Sequence, residues 1–168
     1  MNGINGTKPS GSSAHTWTRF DRELLTGFVQ PATYLQAEGL ELLTPHGNVT
    51  ILPYADIKSV CFVRDWDHAD KVLEKRSFAS RPKQEGLWIR FVWRDGDTME
   101  ALLPNRLLDL ETLGFTVVPP DPGGNAQKLF LPRVALKELL VLGVVGSGQQ
   151  RQQRKAKPTV PDQIKLFE

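Results

Sequence analysis

The chain has 168 residues, of which 40% are hydrophobic and 24% are charged, and its formal net charge is +2. This is the composition of a globular chain with a buried core, and it excludes a collagen-like or intrinsically disordered chain. No apolar run approaches the roughly 18 residues of a membrane-spanning helix, and a single cysteine, Cys61, excludes an internal disulfide framework. The first 14 residues lack the apolar stretch of a secretory signal. We therefore expect a cytoplasmic protein with no membrane partner.

The positive charge lies at the ends of the chain. Residues 17–145 contain 15 Lys and Arg against 17 Asp and Glu, whereas residues 146–168 contain five basic and two acidic residues. Inside the chain, the one local basic cluster consists of Lys75, Arg76, Arg81 and Lys83. Such a cluster marks either a solvated linker or a contact with nucleic acid, and the sequence leaves both interpretations open.

An internal repeat organises the sequence. Leu52–Val60 and Leu131–Leu139 share the order Leu, Pro, three variable residues, aliphatic, Lys, variable, aliphatic, at an offset of 79. Two upstream matches have offsets of 75 and 73: Gly39–Pro45 with Gly114–Pro120, and Gly27–Pro31 with Glu100–Pro104. Offsets grow in this way when loops lengthen and strands do not. We predict a disordered leader (1–16), a first copy (17–66), a linker (67–85), a second copy (86–145) and a flexible basic tail (146–168).

The strands are clearest in the second copy. Leu87–Arg94 alternates apolar and polar residues as a half-buried strand does, and Asp95-Gly96 suits a tight turn into a returning strand, Thr98–Leu103. Three further strands are predicted at Gly114–Val118, Lys128–Leu131 and Ala135–Val145. The leucines of the last segment also suit a helix, but its first-copy counterpart, Ile57–Val63, is β-branched and favours a strand in both copies.

Each copy thus contains about five short strands joined by turns. A sheet this small closes by bending onto itself as a partly open barrel. The predicted fold class is all-β, with two small, bent, five-stranded antiparallel barrels in tandem and disordered tails at both ends.

This order of strands, with an Asp-Gly turn and a final edge that contains Leu-Pro, resembles the Sm-like superfamily, which includes bacterial Hfq. The resemblance implies fused Sm-like domains related to proteins that form rings and bind RNA. The family's usual RNA-binding residues have no clear match, but the corresponding turns offer Tyr54, which can stack on a base, and the cation of Arg133. The last strand pairs across subunits in such rings. Two fused copies satisfy one edge internally and leave two outer edges, so self-association and a pseudo-dimer with covered edges both stay open.

The tail ends in a short apolar segment after a solvated basic stretch. The segment Gln163-Ile164-Lys165-Leu166-Phe167 resembles the bacterial sliding-clamp-binding peptide, with Ile164 in place of the usual leucine. The resemblance implies that Gln163 makes polar contacts at the edge of a groove, while Leu166 and Phe167 fill an apolar pocket. A tail that packs on its own domain is the alternative.

The sequence shows no arrangement typical of catalysis. The histidines are far apart, and no phosphate-binding glycine loop or nucleophile elbow is present. We therefore predict a non-enzymatic module, without cofactor or metal, that binds RNA or DNA weakly. The candidate contacts are Tyr54, Lys75, Arg76, Arg81, Lys83, Arg133, Arg151, Arg154 and Lys155. The alternative function is a protein adaptor that docks on a sliding clamp or another partner through Gln163, Ile164, Leu166 and Phe167.

Overall fold

A computed structural model describes residues 13–21, 23–66, 73, 75–106, 111–121 and 123–146. These residues are all-β, as predicted, and contain one short 3₁₀ turn, Arg133–Ala135. The strands are β1 (Ser13–Arg19), β2 (Leu24–Val29), β3 (Leu40–Leu43), β4 (Val49–Leu52), β5 (Ile57–Val63), β6 (Gly86–Trp93), β7 (Thr98–Leu103), β8 (Gly114–Val117), β9 (Ala126–Pro132) and β10 (Leu136–Val145). Among the described residues, no helix has the length and apolar character needed to cross a membrane.

The strands form two antiparallel sheets. One has seven strands in the order β4-β3-β2-β1-β5-β9-β8, and the other has three in the order β10-β6-β7. A bridge between Leu102 of β7 and Val118, with backbone hydrogen bonds of 2.9 and 2.8 Å, links β7 to the end of β8. The first five strands therefore follow the order β4-β3-β2-β1-β5, and the last five follow the same order, β9-β8-β7-β6-β10.

The turn between the first two strands of each half has the same hydrogen bonds. The Trp93 N–H donates to the Asp97 carbonyl at 2.9 Å, and the Asp95 carboxylate accepts from the Asp97 N–H at 3.2 Å. The residues that make these bonds in the first half are Arg19, Asp21 and Glu23. Equivalent residues of the two turns are therefore 74 positions apart in the sequence. The match of Gly27–Pro31 to Glu100–Pro104 is therefore wrong by one residue, because it used an offset of 73.

The other two offsets agree with the sequence comparison. Strands β3 and β4 pair Leu40 with Leu52, and strands β8 and β9 pair Phe115 with Leu131, which gives offsets of 75 and 79. The last strand of each half begins with an irregularity at a lysine: the pairing of β5 with β1 skips Lys58, and the pairing of β10 with β6 skips Lys137. Strand β10 is extended over its whole length, so the strand interpretation of this segment is confirmed.

The two halves are joined through β5 and β9, which pair antiparallel and place Val60 opposite Phe130 and Cys61 opposite Leu129. Their cores interlock. Cys61 of the first half packs in the cluster formed mainly by β6–β9, whereas Phe130 of the second half packs in the cluster formed mainly by β2, β3 and β5. Each half therefore completes the core of the other.

One domain boundary needs correction. Strand β1 begins at Ser13, so residues 13–16 belong to the first sheet rather than to the leader expected over 1–16. This segment is polar and has no alternation of apolar and polar residues. It belongs to the sheet through backbone pairing with β2 and β5, which any sequence can make. Its strand character therefore could not be read from local composition.

Candidate functional site

Residues 75–83, which we call the strap, cross one face of the three-stranded sheet. The strap contacts the strands in the order β7, β6, β10. The three contacts are the Arg76 carbonyl with the Glu100 N–H of β7 (2.8 Å), the Phe78 ring edge-on to Trp88 of β6 (6.3 Å between centroids), and the Arg81 guanidinium with the Val144 carbonyl of β10 (3.0 Å). This part of the predicted linker is therefore attached to the sheet.

Glu100 is the buried anchor beneath the strap. Its carboxylate accepts hydrogen bonds from the Arg90 guanidinium at 2.8 Å, the Trp88 indole at 3.1 Å and the Phe78 N–H at 3.2 Å. Burial by itself raises the pKa of this carboxyl, but the three hydrogen bonds and the charge of Arg90 outweigh burial, so its pKa is lowered. Glu100 is thus ionised at neutral pH and holds the strap to β6 and β7.

The strap collects four predicted contact residues on one segment. Lys75, Arg76, Arg81 and Lys83 all have exposed side chains. Lys75 lies 3.3 Å from the carboxylate of Asp121, and Arg76 lies 3.4 Å from that of Asp97. The four cations are close together in the sequence, but only the packing of Phe78 and the anchoring by Glu100 place their segment across a sheet.

The other two predicted contacts in the described residues, Tyr54 and Arg133, occupy corresponding turns of the two halves, not the strap. The Tyr54 hydroxyl donates to the Gln36 carbonyl at 2.7 Å, and burial, with Glu111 and Glu38 nearby, raises its pKa. The Arg133 guanidinium lies 4.8 Å from the centroid of the Phe115 ring, and its Nε donates to a backbone carbonyl at 3.2 Å. The hydrogen bond of each side chain therefore stays within its own half.

An ion cluster centred on the buried Lys58 joins the halves next to the strap, and sequence reasoning missed it. Lys58 of β5 places its Nζ 2.5 Å from the carboxylates of both Asp95 and Asp97, in the turn between β6 and β7. The Trp93 indole donates to the Lys58 carbonyl at 3.0 Å, and the Lys58 ammonium lies 5.0 Å from the centroid of the Trp93 ring. Hydrogen bonding to Lys58, together with the charges of Lys58 and Arg76, lowers the pKa of Asp97. We call this group the junction cluster.

The junction cluster left a signal in the sequence. Its lysine is the one shared by the two Leu-Pro segments, and its two carboxylates flank the Gly of the Asp-Gly turn. A family model matches residues 17–143, which is most of the chain and includes most of both halves, the strap and the junction cluster. The chain belongs to the DUF6982 family, a family of unknown function. No curated protein and no solved structure matches the sequence significantly.

The lone cysteine of this DUF6982 chain lies in the core. Cys61 is fully buried in β5, and burial raises the pKa of its thiol to about 12, so the thiol stays protonated at neutral pH. Because only the thiolate is a good nucleophile or metal ligand, Cys61 has a packing role. Within the described residues, no group of three or more His, Cys, Asp and Glu side chains is placed to hold a metal ion.

The remaining predicted contacts lie outside both the described residues and the DUF6982 match. They are the tail cations Arg151, Arg154 and Lys155 and the proposed docking residues Gln163, Ile164, Leu166 and Phe167. The interpretation of the tail as a clamp-binding peptide therefore stays a prediction from sequence.

Proposed function

We propose that this DUF6982 chain is a non-catalytic nucleic-acid-binding module built from two fused Sm-like barrels, in which the strap supplies the cations that contact phosphates. The strand order supports the Sm-like part of this proposal, because the same five-strand order occurs twice and the halves join edge to edge through β5 and β9. Each half has only five short strands, and an all-β unit this small can close as a strongly bent sheet.

The observation that carries the binding proposal is the set of four exposed cations on a segment fixed across a sheet. Lys and Arg side chains bind phosphate backbones of any sequence, and they release counterions as they do so. The strap is already ordered by Glu100 and by the Phe78–Trp88 contact, so less conformational entropy is lost when a nucleic-acid strand binds along it.

The ion pairs on the strap leave room for a phosphate. The Lys75 and Arg76 pairs with Asp121 and Asp97 join exposed or half-exposed side chains, and surface pairs of this kind contribute about 0–1 kcal/mol. Arg81 donates to a neutral carbonyl, so its charge is not neutralised by that contact. A phosphate therefore competes with weak partners for these cations.

The test compares two double variants that each remove two positive charges. Lys75→Gln with Lys83→Gln changes the strap, and Arg64→Gln with Lys128→Gln changes exposed cations elsewhere. Binding of labelled single-stranded RNA and DNA of mixed sequence is followed by fluorescence anisotropy over a range of salt concentrations. The strap variant should bind several-fold more weakly than wild type and should reduce the salt slope by about 0.7 for each lost phosphate contact.

The control variant should keep the affinity and slope of the wild type. Equal losses in both variants, or no binding by the wild type at low salt, would contradict the proposal. A third variant, with Arg151, Arg154 and Lys155 changed to Gln, separates the tail from the strap. If this variant alone loses binding, the strap is not the binding site. The alternative adaptor function, through residues 163–167, depends on the sequence pattern alone.

A further inference from the structure

Asp97, in the turn between β6 and β7, is shared by the strap and the junction cluster. Its Oδ2 atom lies 2.5 Å from the ammonium of Lys58, which belongs to the first half, and 3.4 Å from the guanidinium of Arg76, which belongs to the strap. Two cations from different parts of the chain therefore contact one carboxylate oxygen. How strongly Lys58 holds this oxygen decides how much of its charge acts on Arg76.

Lys58 is the stronger of the two partners. Its side chain is 11% exposed, whereas that of Arg76 is 54% exposed, and charges attract more strongly where water is excluded. The hydrogen bond from Lys58 is the largest cause of the lowered pKa of Asp97, and Arg76 contributes less. A buried lysine needs paired charges, so Lys58 keeps this carboxylate. The pair between Arg76 and Asp97 is therefore the weak one.

The backbone of Arg76 is fixed beside the same turn. Its carbonyl accepts a hydrogen bond from the Glu100 N–H at 2.8 Å, so the start of the guanidinium side chain is held next to Asp97. From this position the guanidinium can pair with the carboxylate or with a phosphate on the strap, and charge-assisted pairs with either group are strong when no other cation competes. Asp97 is thus an internal competitor for a phosphate that contacts Arg76.

We propose that Lys58 is a positioning residue for nucleic-acid binding: by holding the Asp97 carboxylate in the junction cluster, it keeps the Arg76 guanidinium available to a phosphate. The inference rests on the proposed function of the strap and adds a buried residue of the other half that regulates one of its cations. Binding and the junction are then coupled in both directions, because a phosphate that takes Arg76 leaves the Asp97 oxygen to Lys58.

The first test compares two carboxylates of the same turn. Asp97→Asn and Asp95→Asn each remove one negative charge and one 2.5 Å contact with Lys58, and each leaves Lys58 with its other carboxylate. Of the two, Asp97 is the one placed against Arg76. By fluorescence anisotropy at fixed salt, Asp97→Asn should bind a labelled single-stranded oligonucleotide about two- to five-fold more tightly than wild type, as expected when a surface ion pair is released. Asp95→Asn should gain clearly less.

The second test removes the lysine charge with Lys58→Met, which keeps a side chain of similar length. The two carboxylates that it leaves are 34% and 46% exposed, so water can solvate them. Affinity for the oligonucleotide should fall about two- to five-fold, because Arg76 then holds Asp97 alone. Adding Asp97→Asn should restore affinity to that of Asp97→Asn by itself.

An Arg76→Gln background separates this mechanism from a general effect of charge. In that background, Lys58→Met and Asp97→Asn should each leave the affinity unchanged, whereas a long-range effect of either charge would persist. Circular dichroism and thermal unfolding verify that each variant is folded. If Lys58→Met does not fold, the comparison of Asp97→Asn with and without Arg76→Gln still decides whether the carboxylate acts through Arg76, and Lys58→Arg, which keeps the charge, should bind as the wild type does.

A measurement without nucleic acid follows the Arg76 side chain itself. The NMR order parameter of its Nε–H bond should rise in Lys58→Met, because the guanidinium is held by Asp97, and should fall in Asp97→Asn. The proposal is overturned if this order parameter is the same in wild type and Lys58→Met, if Asp95→Asn gains as much affinity as Asp97→Asn, or if the effect of Lys58→Met persists with Arg76→Gln.

The two proposals fail in different ways. A wild type that does not bind oligonucleotides contradicts the proposed function, while the order parameter of Arg76 still shows whether Lys58 controls this cation. A wild type that binds through the strap, with an affinity and an Arg76 mobility that do not respond to Lys58, contradicts only the positioning role.

Discussion

Gly39 and Gly114 occupy corresponding positions just before β3 and at the start of β8. A Cβ on Gly39 would meet the Leu52 carbonyl, and a Cβ on Gly114 would meet the Leu131 carbonyl. The two carbonyl-bearing leucines are themselves equivalent, so each half brings the same two backbone segments into close contact. The need for a residue without a side chain explains why these glycines occur in the matching segments of the two copies.

Gly114→Ala should destabilise the fold by about 1–3 kcal/mol, because the added methyl must also displace the Phe130 ring, whose Cζ would lie 2.6 Å away. Gly143→Ala is the matched control: Gly143 lies in strand β10, and nothing lies within 4 Å of its added Cβ. Urea unfolding at low protein concentration measures the free energy of unfolding of both variants. The explanation is wrong if the two substitutions change the free energy of unfolding equally.

Glu100 links stability to pH. Its pKa is lowered in the folded protein, so its ionised form stabilises the fold above the ordinary glutamate range, and this stabilisation is lost as the pH falls through the lowered folded pKa. Glu100→Gln should cost about 1–3 kcal/mol at neutral pH, since hydrogen bonds to a charged, buried carboxylate are weakened or lost.

The difference between wild type and Glu100→Gln should shrink as the pH is lowered from neutral into the acid range, because the wild-type carboxyl is then protonated. Urea unfolding at a series of pH values measures this difference. Glu138→Gln, at an exposed position on β10, should have the same free energy of unfolding as the wild type at every pH. A loss that stays constant with pH would show that the charge of Glu100 is not what holds the strap.

At the scale of single elements, local pattern predicts strands well where one face is buried. The alternation in Leu87–Arg94 and the Asp-Gly turn locate β6 and β7 to within one residue, since Ile89, Phe91 and Trp93 all face the core. The segment after Pro132 was ambiguous between helix and strand, and only comparison with its counterpart β5 resolved it. The repeat therefore added information that neither copy holds alone.

The contacts made by the strap and by the junction cluster were not predictable, because the contacting residues are distant in sequence. Nothing local in residues 75–83 shows that they bind to a carboxylate on β7 and a carbonyl on β10. Similarly, the partners of Lys58 lie 37 and 39 residues further along the chain. A buried lysine needs paired charges, but the sequence does not show which carboxylates supply them.

At the scale of the whole molecule, the interlocked cores predict that the two halves unfold together. Phe130 of β9 lies opposite Val60 in the β5–β9 pair, and its ring meets that of Tyr34 edge-on, with 6.1 Å between centroids. Removal of its side chain leaves a cavity in the core of the first half and weakens the second half's own strand. Phe130→Ala should therefore cost about 3–5 kcal/mol.

Hydrogen exchange with increasing urea, read by mass spectrometry, measures this coupling. In the wild type and in Phe130→Ala, strands β2 and β3 should lose protection at the same urea concentration as β6 and β7, and the substitution should lower that concentration for both sets. Leu24→Ala, at an exposed position, should leave the urea concentration at which each set of strands loses protection unchanged. If β6 and β7 keep their protection while the first half opens, the halves are independent domains joined by a strand pair, and the shared core is not what stabilises the chain.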